Sequence, residues 1–449
     1  MPLARIASSK GRRAVAALAS AWMVSAASAQ SLVESYERAL ENDRQWRVAQ
    51  ARQRESRELL PLARSQILPQ VNFNASANRV EQTLQTGELP AVDQRYLSTV
   101  QSLSVRQVLF RPRVFLAVDQ AQAQTEQALL SLREEEQQLA VRTVNAYLNV
   151  MLAVDRRDLL AAQSRLVEGR LASAQAALRA GQGTRNDVDD AVAERDRIQA
   201  QAIQVEQGIQ LARRQLQLII GAEPTAIQRL AAARFDPAVF RLGSLEDELA
   251  KAVRASNRIQ ATRQEVFAAQ TVLQQANTGH LPTVDLIAQA ASSTGENTFF
   301  ATTKARNLAL GVQVTVPIYA GGAVEAQIRQ ARSRVDVAEE SLAALINAQR
   351  LQVNTEFNAV LQGIALVRAL RTAVASAEQA LLSSQKGQLA GVRSLIDVLR
   401  AENRRIEVEL DLAQARYQTM GAWIRLQALT GQLDRSVIET LQALLVPSP

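Results

Sequence analysis

The chain repeats itself at long range, and that limits its possible folds more than any other feature. Ser31-Leu32-Val33-Glu34 returns as Ser244-Leu245-Glu246-Asp247, and Leu68-Pro69 returns as Leu281-Pro282, both at a spacing of 213 residues. Gln107-Val108-Leu109-Phe110 answers Val316-Pro317-Ile318-Tyr319 at 209, and Ala180-Gly181 with Asp187-Val188 answers Ala390-Gly391 with Asp397-Val398 at 210. Leu216 and Gly221 match Leu426 and Gly431 at that same spacing of 210. Such a period is far too long for a solenoid unit. Each half is therefore a whole module, and the two are expected to pack around a pseudo-symmetry axis. The spacing divides the chain into a first repeat at 30–223, a linker at 224–243, a second repeat at 244–433 and a tail at 434–449.

Residues 1–29 have the pattern of an export signal. Arg5, Lys10, Arg12 and Arg13 make a basic start without acids, Ala14 to Val24 is apolar, and Ala27-Ser28-Ala29 offers small residues for cleavage before Gln30. The apolar run is too short to span a bilayer. The whole chain has 51 basic and 44 acidic residues, a net +7, which falls to +3 without the four cations of the signal. The bases are interspersed with acids, so nucleic acid is not an expected partner. There are no cysteines, which removes disulfides, thiolate metal sites and a lipidated mature start. No run of apolar residues long enough for a helical membrane span is visible downstream of the signal.

Each half opens with residues that favour helix, Leu32 to Leu68 and Leu245 to about Asn277, with Pro61 expected to disturb the last turns of the first. Leu-Pro then ends both segments. The period changes next. Val71, Phe73, Ala75 and Ala77 alternate with Asn72, Asn74, Ser76 and Asn78, and Val284, Leu286, Ala288 and Ala290 alternate with polar residues. After expected polar loops at 80–95 and 293–306, a second strand follows in each half, at 96–108 and at Leu308, Leu310, Val312, Val314 and Val316. Then comes a very long helix, about Val114 to Ala180 and Val324 to Ala390. Ile328, Ala331, Val335, Ala338, Leu342 and Leu345 keep the 3-4 spacing of a coiled-coil seam, echoed by Val118, Ala121, Thr125, Ala128 and Leu132. Glycine turns at 181–183 and near 391 reverse the chain into a return helix.

Four strands with one apolar and one polar face suit a transmembrane barrel, lipid outside and water inside. Four strands do not close a barrel, and an open edge does not persist in lipid, so closure calls for several chains. A small soluble antiparallel sheet is the competing reading of the same strands.

In this order of elements the chain resembles the TolC family of outer-membrane efflux and secretion channels. The resemblance rests on the paired Leu-Pro-to-strand junctions, on Val316-Pro317-Ile318-Tyr319-Ala320-Gly321-Gly322, and on the two Ala-Gly turns followed by Asp-Val. It implies an α+β membrane protein with internal duplication. Three chains would give a twelve-stranded outer-membrane barrel continuous with an α-helical coiled-coil barrel in the periplasm. It further implies a homotrimer in outer-membrane lipid, opened by an inner-membrane transporter and a periplasmic adaptor, with no cofactor and no enzyme activity. Gly391-Val392-Arg393-Ser394-Leu395-Ile396-Asp397-Val398 resembles the family's periplasmic entrance. By that resemblance Asp397 narrows and charges the pore and Arg393 helps to hold it shut. Asp187 is the first-half counterpart. Arg400 stands where some members carry a second aspartate, and Gln388 where some carry a tyrosine. Gly181, Gly183 and Thr184, with Gly391 and Ser394, match the tips that meet the adaptor. An aspartate just past a glycine turn also caps a helix by accepting free backbone N–H groups, and both roles can coexist.

Metal and acid-base chemistry find little support. His280, the only histidine, has no cysteine or second histidine to share a metal, and Asp285 is weak company. Glu134-Glu135-Glu136 and Asp189-Asp190 have the pattern of solvated helix faces. Tyr96, Phe110 and Tyr319 lie near strand ends, where aromatic girdles form, and Phe299-Phe300 falls in the second hairpin loop. The alternative from another class is a periplasmic coiled-coil adaptor or scaffold, which would use the long helices but not the two-faced strands.

Overall fold

A computed structural model describes residues 30–446, apart from 86, 225, 232–234 and 297–300. The expected signal segment and Phe299-Phe300 lie outside the described residues. The first half runs α1 (Leu32–Asn42), α2 (Arg44–Arg57), α3 (Leu59–Ser65), β1 (Gln70–Leu84), β2 (Val92–Phe110), α4 (Pro112–Arg179) and α5 (Arg185–Ile220). A two-residue strand β3 (Arg229–Leu230) follows in the linker. The second half runs α6 (Leu245–Ala255), α7 (Asn257–Asn277), β4 (Thr283–Glu296), β5 (Thr302–Thr315), α8 (Ala323–Leu389) and α9 (Leu395–Leu429), with α10 (Arg435–Gln442) and β6 (Leu445–Val446) in the tail.

The opening segments are not single helices. Asp43 leaves the helical region and its carboxylate accepts the Trp46 N–H at 2.7 Å, so α1 ends where α2 is capped. Ser256 does the same between α6 and α7 by accepting the Ile259 N–H. Composition favoured one helix, but a short polar side chain that satisfies a free backbone donor makes a break nearly costless. Pro61 lies in the first turn of α3 rather than near the end of one helix, where a missing N–H does no harm.

The strands are also longer than their apolar alternation. β1 pairs with β2 antiparallel from Gln70↔Arg106 to Leu84↔Val92, which moves the loop from the expected 80–95 to the interval between Leu84 and Val92. The second loop shrinks likewise, because β4 and β5 pair out to Glu296↔Thr302. Polar cross-strand pairs carry the extensions, such as Gln82 to Gln94 at 2.9 Å and Thr83 to Asp93 at 2.6 Å. The two hairpins join through β2 and β4 into one sheet of order β1-β2-β4-β5, whose outer edges β1 and β5 carry no partner strand among the described residues.

Register sorts the side chains. One face gathers Val71, Phe73, Val105, Leu103, Leu286, Ala288, Leu310 and Val312. The other gathers Asn72, Asn74, Ser102, Ser104, Gln289, Asn307 and Gln313. Tyr96 belongs to this polar face, where a Cβ added to Gly295 would meet its ring at 3.7 Å, so it is no part of an outward girdle; the weak alternation of β2 hid its parity. Phe110 and Tyr319 are exposed.

The helices form the other layer. α4, of 68 residues, is about 100 Å long at the usual rise. It packs against α5, α7 and α9, while α8 packs along α9. Val353, Val360 and Val367 of α8, one heptad apart, are completely buried. α8 also contains a window long and apolar enough to cross a membrane by composition, which the sequence reading excluded. Little of that window is buried inside the single chain, and Leu351, Leu361 and Leu366 stay exposed.

Linker and tail build a small layer rather than mere connections. β3 pairs with β6, and Gln442 accepts the Val33 N–H at 2.8 Å. Phe240 of the linker packs against Trp423 with ring centroids 5.4 Å apart and the rings tilted by 58°. Tyr147 of α4 knots this region. Fully buried, its hydroxyl donates to the Gln30 carbonyl at 2.8 Å and accepts the Gln228 N–H at 3.0 Å. Tyr147→Phe leaves both backbone groups unpaired and is expected to cost ~2 kcal/mol of stability, read from chemical unfolding.

Candidate functional site

The two turns at the ends of the long helices share one construction. Gly181 and Gly391 take φ of 70° and 72°, a region that side chains with a Cβ rarely enter. The next two N–H groups then return to one carbonyl, Ala177 in the first turn and Gly387 in the second. Thr184 and Ser394 follow as N-caps of α5 and α9, each in a reciprocal capping box with Asp187 and Asp397. Ser394 Oγ lies 2.8 Å and its N–H 3.0 Å from Asp397 Oδ2. These bonds, then the nearby charges of Arg393 and Arg400, hold the Asp397 carboxyl below the usual carboxylate range, so it is ionised at neutral pH.

The turns differ where they must accommodate a large side chain. Gly183 occupies the first-turn position that Arg393 occupies in the second. A Cβ on Gly183 would come within 3.0 Å of the Ala177 Cβ. In the second turn the small residue is on the other side, since a Cβ on Gly387 would meet Arg393 Cγ at 2.7 Å. Gly387 thus provides the space over which Arg393 lies.

Both turns lie at one end of the molecule. Leu395 and Leu399 of α9 pack into a buried cluster with Val167, Leu171, Ala174, Val188 and Ala191 of the first helical pair. All nine residues singled out at the tips are thereby brought to one end: Gly181, Gly183, Thr184 and Asp187 on the first turn, and Gly391, Arg393, Ser394, Asp397 and Arg400 on the second. Asp187, Asp189 and Asp190 with Arg185 leave the first tip acidic, while Arg393 and Arg400 outnumber Asp397 on the second.

The sequence did not reveal the polar cross-links behind the tips. Asn403 of α9 donates to Glu194 of α5 at 2.9 Å and accepts from Gln163 of α4, and Arg170 of α4 reaches Gln388 of α8 at 3.3 Å. Partners separated by more than 200 positions leave no local signal; only polar residues breaking the heptad pattern could have marked them. Glu402 is buried among these groups with Oε2 unpartnered. Desolvation raises its pKa, against the attraction of Arg170 and Arg405, and Glu194 adds repulsion. Between the ordinary carboxylate value and this raised one, the folded chain holds a proton that the unfolded chain has lost. Stability contributed here therefore falls as pH rises through that window. Glu402→Gln is expected to flatten this pH dependence and to raise the melting temperature at neutral pH.

At the opposite end, Asp285 does not accompany His280. It is buried and holds Arg106 at 2.5 Å and Arg111 at 2.7 Å, clamping the second half's first strand to the start of α4. His280 faces Glu325 instead, at 3.5 Å. Among the described residues no cluster of metal-binding side chains occurs.

Comparison with known proteins agrees with this architecture. A family model described as outer membrane efflux protein matches residues 35–222 and again 249–432, one copy in each half. The chain belongs to that family. It is 30% identical over 423 residues to the alkaline protease secretion protein AprF of Pseudomonas aeruginosa, covering 92% of this chain and 86% of that one. It is 29% identical over 432 residues to the proteases secretion protein PrtF of Dickeya chrysanthemi, covering 94% and 93%. The Campylobacter jejuni CmeC outer membrane channel superposes with a TM-score of 0.79 at 14% identity, over 92% of this chain and 89% of that one, which fixes the fold. As an outer membrane efflux family member the chain is an outer-membrane channel protein, its two-faced sheet in the membrane and its long helices in the periplasm. The soluble-sheet and adaptor readings are thereby set aside.

Proposed function

We propose that the chain is one third of a homotrimeric exit duct, a passive path from periplasm to exterior that an inner-membrane transporter and a periplasmic adaptor open by engaging the tips. Residues 1–29 direct its export. The duct performs no chemistry of its own. The observation that carries this reading is the four-stranded sheet with an apolar outer face and two free edges, β1 and β5, set on helices about 100 Å long. A sheet in lipid has to close. The edges of one chain meet the opposite edges of its neighbours, and three chains make twelve strands. The exposed apolar residues of α8, Leu351, Leu361 and Leu366 among them, become the walls between neighbours.

The cargo we assign is polypeptide. AprF and PrtF are named for protease secretion. Apart from the Arg106–Asp285 pair, the described sheet residues on the polar face are uncharged, mostly Asn, Ser, Gln, Gly and Ala, and grip no one class of side chain. Arg393, Asp397, Asp187 and Arg400 line the periplasmic entrance, and Gly181, Gly183, Thr184, Gly391 and Ser394 form the adaptor-facing tips. The test is the native mass of the protein extracted in detergent from outer membranes. A particle of about 140 kDa, three mature chains in a closed barrel, is expected; a single chain or a dimer overturns the trimer.

A further inference from the structure

We infer that the outer surface of the barrel carries a basic collar that binds the phosphates of the outer leaflet's glycolipid, the lipid A class. The inference rests on the barrel reading above and follows from strand register. Reading the outward face toward the loops, the row Val71, Val105, Ala288, Leu310 is entirely apolar, as is the next, Phe73, Leu103, Ala290, Leu308. The following row is Ala75, Gln101, Ser292, Arg306, and the one after it is Ala77, Thr99, Thr294, Lys304. Arg79 shares the next row with Leu97, Arg95 the one beyond with Glu81, and the row after that holds Thr83 and Asp93, which bond each other at 2.6 Å. Four cations therefore appear in four successive rows, beginning where the apolar band stops.

The face they choose decides the argument. At the same level the inward face carries Asn78, Val80, Gln82, Gln94, Tyr96, Ser98, Ser293, Gly295, Thr303 and Ala305, without a charge. A water-filled lumen solvates arginine and lysine at little cost, yet all four point the other way. Charge on the lipid side is tolerated near the interface and favoured where anionic headgroups lie. The collar is open to such a partner. Arg79 and Arg95 are exposed and share only Glu81, at 3.9 and 3.5 Å. Lys304 and Arg306 are exposed and have no acidic partner among the described residues. In the closed trimer β1 abuts the neighbour's β5, so Arg79 on one edge and Lys304 and Arg306 on the other bring their charge to each seam. Phosphate groups held by several arginines and a lysine suit this arrangement better than a zwitterionic headgroup.

The test uses the full trimer in detergent and counts bound lipid by native mass spectrometry. The probes are bis-phosphorylated lipid A, the same lipid dephosphorylated, and phosphatidylethanolamine. The wild type is expected to retain the phosphorylated lipid, and the quadruple variant R79Q/R95Q/K304Q/R306Q to bind it at least ~10-fold more weakly. Equal binding by the variant overturns the collar. So does equal binding of dephosphorylated lipid by the wild type, a comparison that stands even if the variant fails to assemble. Recovery of the wild type as a detergent-free single chain would overturn the barrel reading itself, whereas a lipid-blind trimer removes only the collar.

Discussion

Leu310→Arg is expected to keep the chain out of the outer membrane, while Ala309→Arg, one residue away, is expected to assemble. Leu310 is 76% exposed in the single chain and lies in the apolar row with Val71, Val105 and Ala288. An arginine near the middle of the lipid-facing band costs about 2–4 kcal/mol per chain. The proposed trimer incurs it three times, enough to prevent insertion. Ala309 pairs with Gln289 on the opposite face, where a charged side chain reaches water. Outer-membrane fractionation with measurement of the native mass of the extracted protein checks both variants. If the two behave alike, the sheet is not two-faced in the membrane, whatever its register suggests.

That contrast depends on the part of the fold easiest to read in the sequence. The alternation of Leu308 to Val316 and of Val71 to Ala77 marks the strands because lipid on one side and water on the other demand opposite chemistry at neighbouring positions. The long helices are legible for a similar reason, since α8 keeps its seam over many heptads and real bounds differ from the expected ones by a residue or two. Legibility fails where stabilisation comes from partners far apart in sequence. The strand ends at Gln82 and Gln94 are polar, and only their mutual hydrogen bond shows them to be sheet. Asp43 and Ser256 break helices whose composition favours continuity. The linker and tail lack periodicity, yet meet as β3 and β6 under Tyr147. At the tips the turns were visible as glycines, but the links from Arg170 to Gln388 and from Asn403 to Glu194 join the two halves and leave no mark in either.

If the tips form the entrance as proposed, their charge leads to the second large effect. Asp397→Asn is expected to weaken block of the channel by trivalent cations added from the periplasmic side, and Arg400→Asp to strengthen it greatly. Asp397 is ionised and its Oδ2 is held by Ser394, so the charge is fixed in place on the first turn of α9. Asparagine keeps a side-chain oxygen for the capping bonds and removes the charge alone, which alanine does not. The second tip nonetheless carries Arg393 and Arg400 beside one aspartate, so the ring proposed for three chains is a weak cation trap. Arg400→Asp removes a cation and adds an anion in each chain, a change of about six elementary charges around three chains, and rings of carboxylates attract multivalent cations. It also places an acid in the first turns of α9, where the helix dipole tolerates it. Planar-bilayer conductance with a trivalent cation titrated from the tip side reads both variants. If Asp397→Asn leaves the block unchanged while Arg400→Asp strengthens it, the trap in the wild type belongs to Asp187, Asp189 and Asp190 on the first tip, and Asp397 serves as a cap alone. If neither variant moves the block, the tips of α8 and α9 do not face the pore.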